Sequence, residues 1–130
     1  MIEMKLTALV TLLAILLTFY MSIRVGGMRP KKNIDAPATT GDVEFERAFR
    51  IHYNTIEQLV LFLPVLWLGV HVIGDLYAAI AGSVWLIGRV LYSNAYMADP
   101  KGRGTGMILT LLPTTVLLVA SLWGIVKAFL

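Results

Sequence analysis

Four long runs without a formal charge dominate this chain of 130 residues. Leu6 to Ile23, Gln58 to Gly74, Leu76 to Gly88 and Gly104 to Val126 contain no Lys, Arg, Asp or Glu. A hydrocarbon core about 30 Å thick needs about 20 apolar helical residues to cross it. The first and last runs approach or exceed that length alone. The second reaches it by extending back toward Glu44, and the third by continuing past Arg89 to Ala98. Lipid offers the backbone no hydrogen-bonding partner, so the spans must be helices or a closed barrel. The alternating pattern of barrel strands is absent. The expected fold is therefore an all-α membrane protein, a four-helix transmembrane bundle in one domain over residues 1–130, with helices at about 4–26, 44–73, 75–98 and 105–129. The first run is too long for the apolar region of a signal peptide and no small-residue cleavage site follows it, so it reads as a retained helix.

Composition agrees: 58% of residues are hydrophobic and 15% charged, where soluble domains carry roughly a quarter charged. There is no cysteine, which excludes disulfides, thiolate metal sites and a cysteine nucleophile. The net charge of +3 matters less than its placement. Arg24, Arg29, Lys31, Lys32, Arg47, Arg50, Arg89, Lys101 and Arg103 fall at one end of the helices, and Lys5 and Lys127 at the other. The positive-inside rule puts the first and third loops in the cytoplasm and both termini outside. Gly26, Gly27, Pro30, Pro37 and Gly41 mark the first loop, with Asp42 or Thr40 as the cap of the second helix. A tight turn is expected at Gly74-Asp75, and DPKGRGTG, from Asp99 to Gly106, reads as a glycine-rich loop.

Polar residues within the spans narrow the function. On a helix turning about 100° per residue, Glu46, Arg47, Arg50, Asn54 and Glu57 fall within an arc of about 100°. This stripe runs down into apolar sequence, where ionisable groups face a bundle interior or a wet cavity. Pairing among these groups would serve equally well as glue between helices, above all for Glu46 and Arg47 near the water boundary. Arg89, Tyr92, Ser93 and Tyr96 share a face at the end of the third span. Taken alone, an interfacial aromatic belt explains that face better than a site does. His52 and His71 lie on opposite sides of the membrane, so no metal site or paired haem ligation is expected. No nucleophile triad, phosphate loop or dinucleotide fingerprint is present.

The run from Phe45 to Val70, FERAFRIHYNTIEQLVLFLPVLWLGV, resembles the signature of the MAPEG proteins, membrane-associated proteins in eicosanoid and glutathione metabolism. The residues that carry the resemblance are Glu46, Arg47, Arg50, Asn54 and Glu57. Tyr20 to Arg29 and Gly88 to Tyr96 resemble the ends of the family's first and third helices, with Arg103 at the expected distance beyond. The resemblance implies a homotrimer that binds glutathione between subunits on the cytoplasmic side, at Arg29, Arg50, Asn54, Glu57, Tyr92 and Tyr96. His52 stands where leukotriene-synthase-like members carry a glutamine, and Gln58 where they carry a tyrosine, which removes an aromatic wall. Arg103 matches the arginine that stabilises the glutathione thiolate in those members, and is the expected catalytic residue.

The implied activity is a glutathione transferase or peroxidase, with glutathione as co-substrate and an apolar electrophile arriving from membrane lipid. The expected location is the bacterial inner membrane, and no nucleic-acid partner is expected. The chemistry of glutathione fits the residues: arginines suit its two carboxylates, and Glu57 suits its amino group. A non-catalytic lipid-binding scaffold of the same family is one alternative. A small multidrug transporter is a remote one, because the first span holds no acidic residue.

Overall fold

The computed structural model describes residues 3–130. It contains four long helices: α1 (Lys5–Lys32), α2 (Val43–Ile73), α3 (Asp75–Ala98) and α4 (Gly104–Phe129), with a 3-10 turn at Pro100–Arg103 leading into α4. All four are long and apolar enough to cross a membrane. There is no strand among the described residues.

Apolar core residues come from every helix. Val10 and Ala14 of α1 meet Phe62, Leu66 and Val70 of α2, Ala78 and Trp85 of α3, and Leu117 of α4. The Phe62 and Trp85 rings stack 4.4 Å apart at 9°. Large apolar residues such as Leu12, Leu16, Phe19, Val60, Ile87, Val119 and Trp123 remain on the outside. Such a continuous apolar coat suits lipid and would aggregate in water.

The helix ends explain how the bundle is fastened. α1 was expected to stop near residue 26, but it passes Gly26, Gly27 and Pro30 and ends at Lys32. Met28 and Val25 pack with Ile34, Phe45 and Ala48 in a second apolar cluster, which holds this last stretch of helix in place. A proline costs less in such a setting because neighbouring groups can absorb the freed carbonyl. Asn33, in the left-handed conformation at φ 53°, then ends the helix. The loop is correspondingly shorter than its glycines suggested. Arg29 ties it down by donating to the carbonyl of Ala38 at 2.9 Å, with its guanidinium 5.0 Å from the centre of the Phe45 ring.

Asp42 caps α2 by accepting the Phe45 N–H at 3.0 Å. That hydrogen bond, with help from Lys32, holds the Asp42 carboxyl below its usual range against the opposing effect of desolvation. A depressed carboxylate pKa means the cap is intact at neutral pH and is lost as pH falls through the folded-state value. α2 and α3 are joined through Gly74 alone, at φ 84°. The next residue, Asp75, caps a different helix. Its two carboxylate oxygens accept the N–H groups of Leu6 and Thr7 at 3.0 and 2.8 Å, so the start of α3 satisfies orphan donors in the first turn of α1. Asp75→Ala is expected to lower the thermal midpoint in detergent by a few degrees. Asp75→Asn, whose amide keeps one acceptor, should lie between the two. Identical melting curves for all three proteins would show that the cap contributes nothing.

α3 and α4 approach most closely where glycines face the opposing backbone. A β-carbon on Gly88 would lie 2.8 Å from the Leu109 carbonyl carbon. One on Gly106 would strike the Tyr92 backbone nitrogen and Cα. This contact places Tyr92 against the first turns of α4, at the same end of the bundle as the arginine-rich loops.

Candidate functional site

The polar stripe of α2 divides into a structural part and an open part. Arg47 donates from Nη1 to the carbonyls of Met97 and Ala98 at 2.8 and 3.0 Å. Those are orphan acceptors at the end of α3, where a cation is favoured by the helix dipole. Arg47 is thus the glue its position suggested. Arg50 and Glu57, two turns apart, are about half exposed and approach to 3.5 Å. Asn54 lies between them, nearly buried, and donates from Nδ2 to Glu57 Oε2 at 3.1 Å.

Beneath this pair is a buried polar layer. Arg89 of α3 is fully buried and donates from Nη2 to Asn54 Oδ1 and Thr55 Oγ1, each at 3.0 Å. Thr55 in turn donates to the Ile51 carbonyl at 2.8 Å. The Arg89 guanidinium lies 4.1 Å from the centre of the Tyr92 ring. Tyr92 is buried, and its ring sits 5.5 Å from that of Tyr96. Arg103 is exposed on the 3-10 turn and donates to the Pro100 carbonyl at 2.8 Å. The turn is shaped by Asp99, whose carboxylate accepts the Lys101 N–H at 3.0 Å.

The structure therefore links Arg50, Asn54 and Glu57 to Tyr92 and Tyr96 through Arg89, and sets Arg103 at the same end of the bundle, on the turn that follows α3. Three other candidate residues lie elsewhere within the protomer. Arg29 straps the first loop. His52, about 200° around the helix from Arg50, lines a crevice of about 240 Å³ with Ile15, Thr18, Phe19, Ser22 and Leu59. Gln58 turns inward, and its Oε1 is buried without a donor among the described residues. No group of three or more His, Asp or Glu side chains could hold a metal among the described residues. Arg89 and Thr55 were not singled out as site residues. The sequence signals for Arg89 are a charge inside an otherwise apolar run and a helical face shared with Tyr92, Ser93 and Tyr96.

A four-helix membrane bundle with one arginine- and tyrosine-rich end defines the class, and comparison with known proteins gives the family. The chain belongs to the MAPEG family, whose profile matches residues 7–123. It is 34% identical to human (Homo sapiens) microsomal glutathione S-transferase 2 over 125 residues, covering 96% of this chain and 85% of that protein. It is 38% identical to leukotriene C4 synthase of Bos taurus over 101 residues, covering 78% and 67% respectively. An uncharacterized protein of Synechocystis is 43% identical over 123 residues, covering 95% and 90%. The chain is thus an integral, multi-pass membrane protein with glutathione transferases among its relatives.

Proposed function

We propose that this protein is a membrane-embedded glutathione transferase or peroxidase acting on apolar electrophiles. The observation that carries the reading is the half-exposed Arg50–Glu57 pair, 3.5 Å apart and tethered by Asn54. Such a pair suits an amino-acid zwitterion. The guanidinium takes a carboxylate in a bidentate contact, and the carboxylate takes an ammonium. Glutathione carries that zwitterion at its γ-glutamyl end, and the tyrosines can supply neutral hydrogen bonds along the peptide. The relatives named as glutathione transferase support the same reading.

The functional unit in this proposal is a homotrimer with its first and third loops in the cytoplasm. A single protomer leaves the Arg50–Glu57 pair on an open face, and a neighbouring subunit would close it. Arg29 and His52, on the other flank of α2, would then serve the site of the adjacent subunit. The glutathione sulfur, as thiolate, forms the new bond to an electrophilic carbon and either displaces a halide or adds to a polarised double bond, whose far end then takes a proton from water. The nucleophile comes from the co-substrate, in keeping with a chain that has no cysteine.

Arg50→Ala and Glu57→Ala are each expected to weaken glutathione binding at least about tenfold, or roughly 1.4 kcal/mol. The figure is kept low because both side chains are half exposed and screened by water. Calorimetric titration in detergent, with turnover of a chlorinated aromatic substrate and mass measurement of the intact oligomer, tests the reading. Wild-type protein that binds no glutathione would refute it, and a fully active monomer would refute the trimer.

A further inference from the structure

Arg89 is the only fully buried charged side chain among the described residues. It has no carboxylate within ion-pair distance there. An unpaired guanidinium at membrane depth is costly, and such residues usually serve a site. Its surroundings show what it controls. Arginine is donor-only, whereas an asparagine amide has one accepting and one donating end. Arg89 Nη2 can therefore bond Asn54 only through Oδ1, as it does at 3.0 Å. The amide nitrogen is left pointing at Glu57 Oε2, 3.1 Å away. A flipped amide would set N–H against N–H.

The second anchor is equally one-directional. Thr55 has committed its hydroxyl proton to the Ile51 carbonyl, so it presents a lone pair to the same Arg89 nitrogen. The Arg89 guanidinium also makes a cation–π contact with the ring of Tyr92, its central carbon 4.1 Å from the ring centre. The result is a directed chain from Arg89 through the Asn54 amide to Glu57, whose other oxygen faces Arg50 at 3.5 Å.

We propose that Arg89 is a positioning residue for ligand recognition: by dictating the orientation of the Asn54 amide, it holds the Glu57 carboxylate ready for the ammonium group of glutathione. This rests on the glutathione reading above and deepens it. Arg89 touches no ligand. Without it, Asn54 turns freely and Glu57 is no longer held in place. A residue that merely glued α2 to α3 would affect stability, and would leave the choice between ligands alone.

The test compares glutathione with its deaminated analogue, in which the γ-glutamyl amino group is replaced by hydrogen. Wild type is expected to prefer glutathione by about tenfold or more, the scale of a hydrogen bond between charged groups. Arg89→Gln, whose amide can donate or accept and so no longer dictates how Asn54 points, should bring the two affinities close together. Arg89→Lys keeps a donor-only group at the end of a different stem, and should retain part of the preference. If the Arg89 variants do not assemble, two others decide the matter. Thr55→Val removes the second anchor and should reduce the preference partially. Asn54→Ala removes the amide that links Arg89 to Glu57, and should abolish it. A folded Arg89→Gln or Asn54→Ala protein with the wild-type preference overturns the assignment while leaving the glutathione reading in place. Wild type that binds neither peptide overturns the reading, and the assignment falls with it.

Discussion

Replacing Arg103 with alanine is expected to lower turnover by about 10²–10³ while most glutathione affinity survives. That is the scale of losing one preorganised electrostatic contact to a reacting centre. An unperturbed thiol has a pKa of about 8.5, so only a few per cent is thiolate at neutral pH. A guanidinium beside the sulfur favours the ionised form, and each unit of pKa is about 1.4 kcal/mol. Arg103 is suited to this by its exposure and its place on the 3-10 turn, three residues before Gly106, which packs against the Tyr92 backbone. Its one hydrogen bond among the described residues, to the Pro100 carbonyl, uses Nη1 and leaves other donors of the guanidinium for a ligand.

The contact forms fully only with the charged sulfur, so its loss should appear in turnover more than in ground-state binding. Ultraviolet absorbance of the thiolate, titrated against pH with glutathione bound, reads it directly. The apparent thiol pKa should rise in Arg103→Ala, and Arg103→Lys should restore it in part. The pH–rate profile should shift upward with it. If wild type and Arg103→Ala titrate alike, Arg103 only marks an edge of the membrane, and another group stabilises the thiolate.

The features visible in the sequence were those set by local chemistry. Span length follows from apolar run length, so the four helices and the turn at Gly74 could be read directly. The Asp42 cap is a matter of one side chain and an N–H three residues on. The end of α1 was misplaced because Gly26, Gly27 and Pro30 are local breakers, while the contacts that override them come from Phe45 and Ala48 on another helix. Rotation about the axis of α2 was also legible in part. The stripe of Arg50, Asn54 and Glu57 came from helical spacing, and the same spacing separates His52 from it. The family resemblance grouped His52, Arg29 and Gln58 with the stripe, whereas the fold sets all three apart from it. Arg89 looked like part of an interfacial belt because its burial depends on how α3 is turned against α2. One sequence carries no direct signal for that rotation.

The second large effect is expected at Gly106. The α3–α4 contact is backbone against backbone there, so a methyl group at Gly106 meets the Tyr92 nitrogen and Cα rather than a side chain that can rotate away. Helices in lipid lack a strong hydrophobic force pressing them together, and their association depends on close packing at small residues. Gly106→Ala must therefore either separate α3 from α4 or shift Tyr92 along with the Arg89 guanidinium stacked on it. Overpacking of this kind costs about 1–3 kcal/mol, and the absence of a rotamer escape argues for the upper end. A lower thermal midpoint and loss of glutathione binding are both expected. Gly104→Ala is the matched control, two residues earlier in α4. It has helical backbone angles, and a β-carbon there meets nothing within 4 Å. Alanine favours helix over glycine by up to about 1 kcal/mol, so this variant should be neutral or slightly stabilised. Opposite signs for two identical substitutions one half-turn apart would tie the effect to the α3–α4 approach. Equal melting points would mean that the helices stand farther apart at Tyr92 than the structure has them, and that Tyr92 is not held from behind by α4.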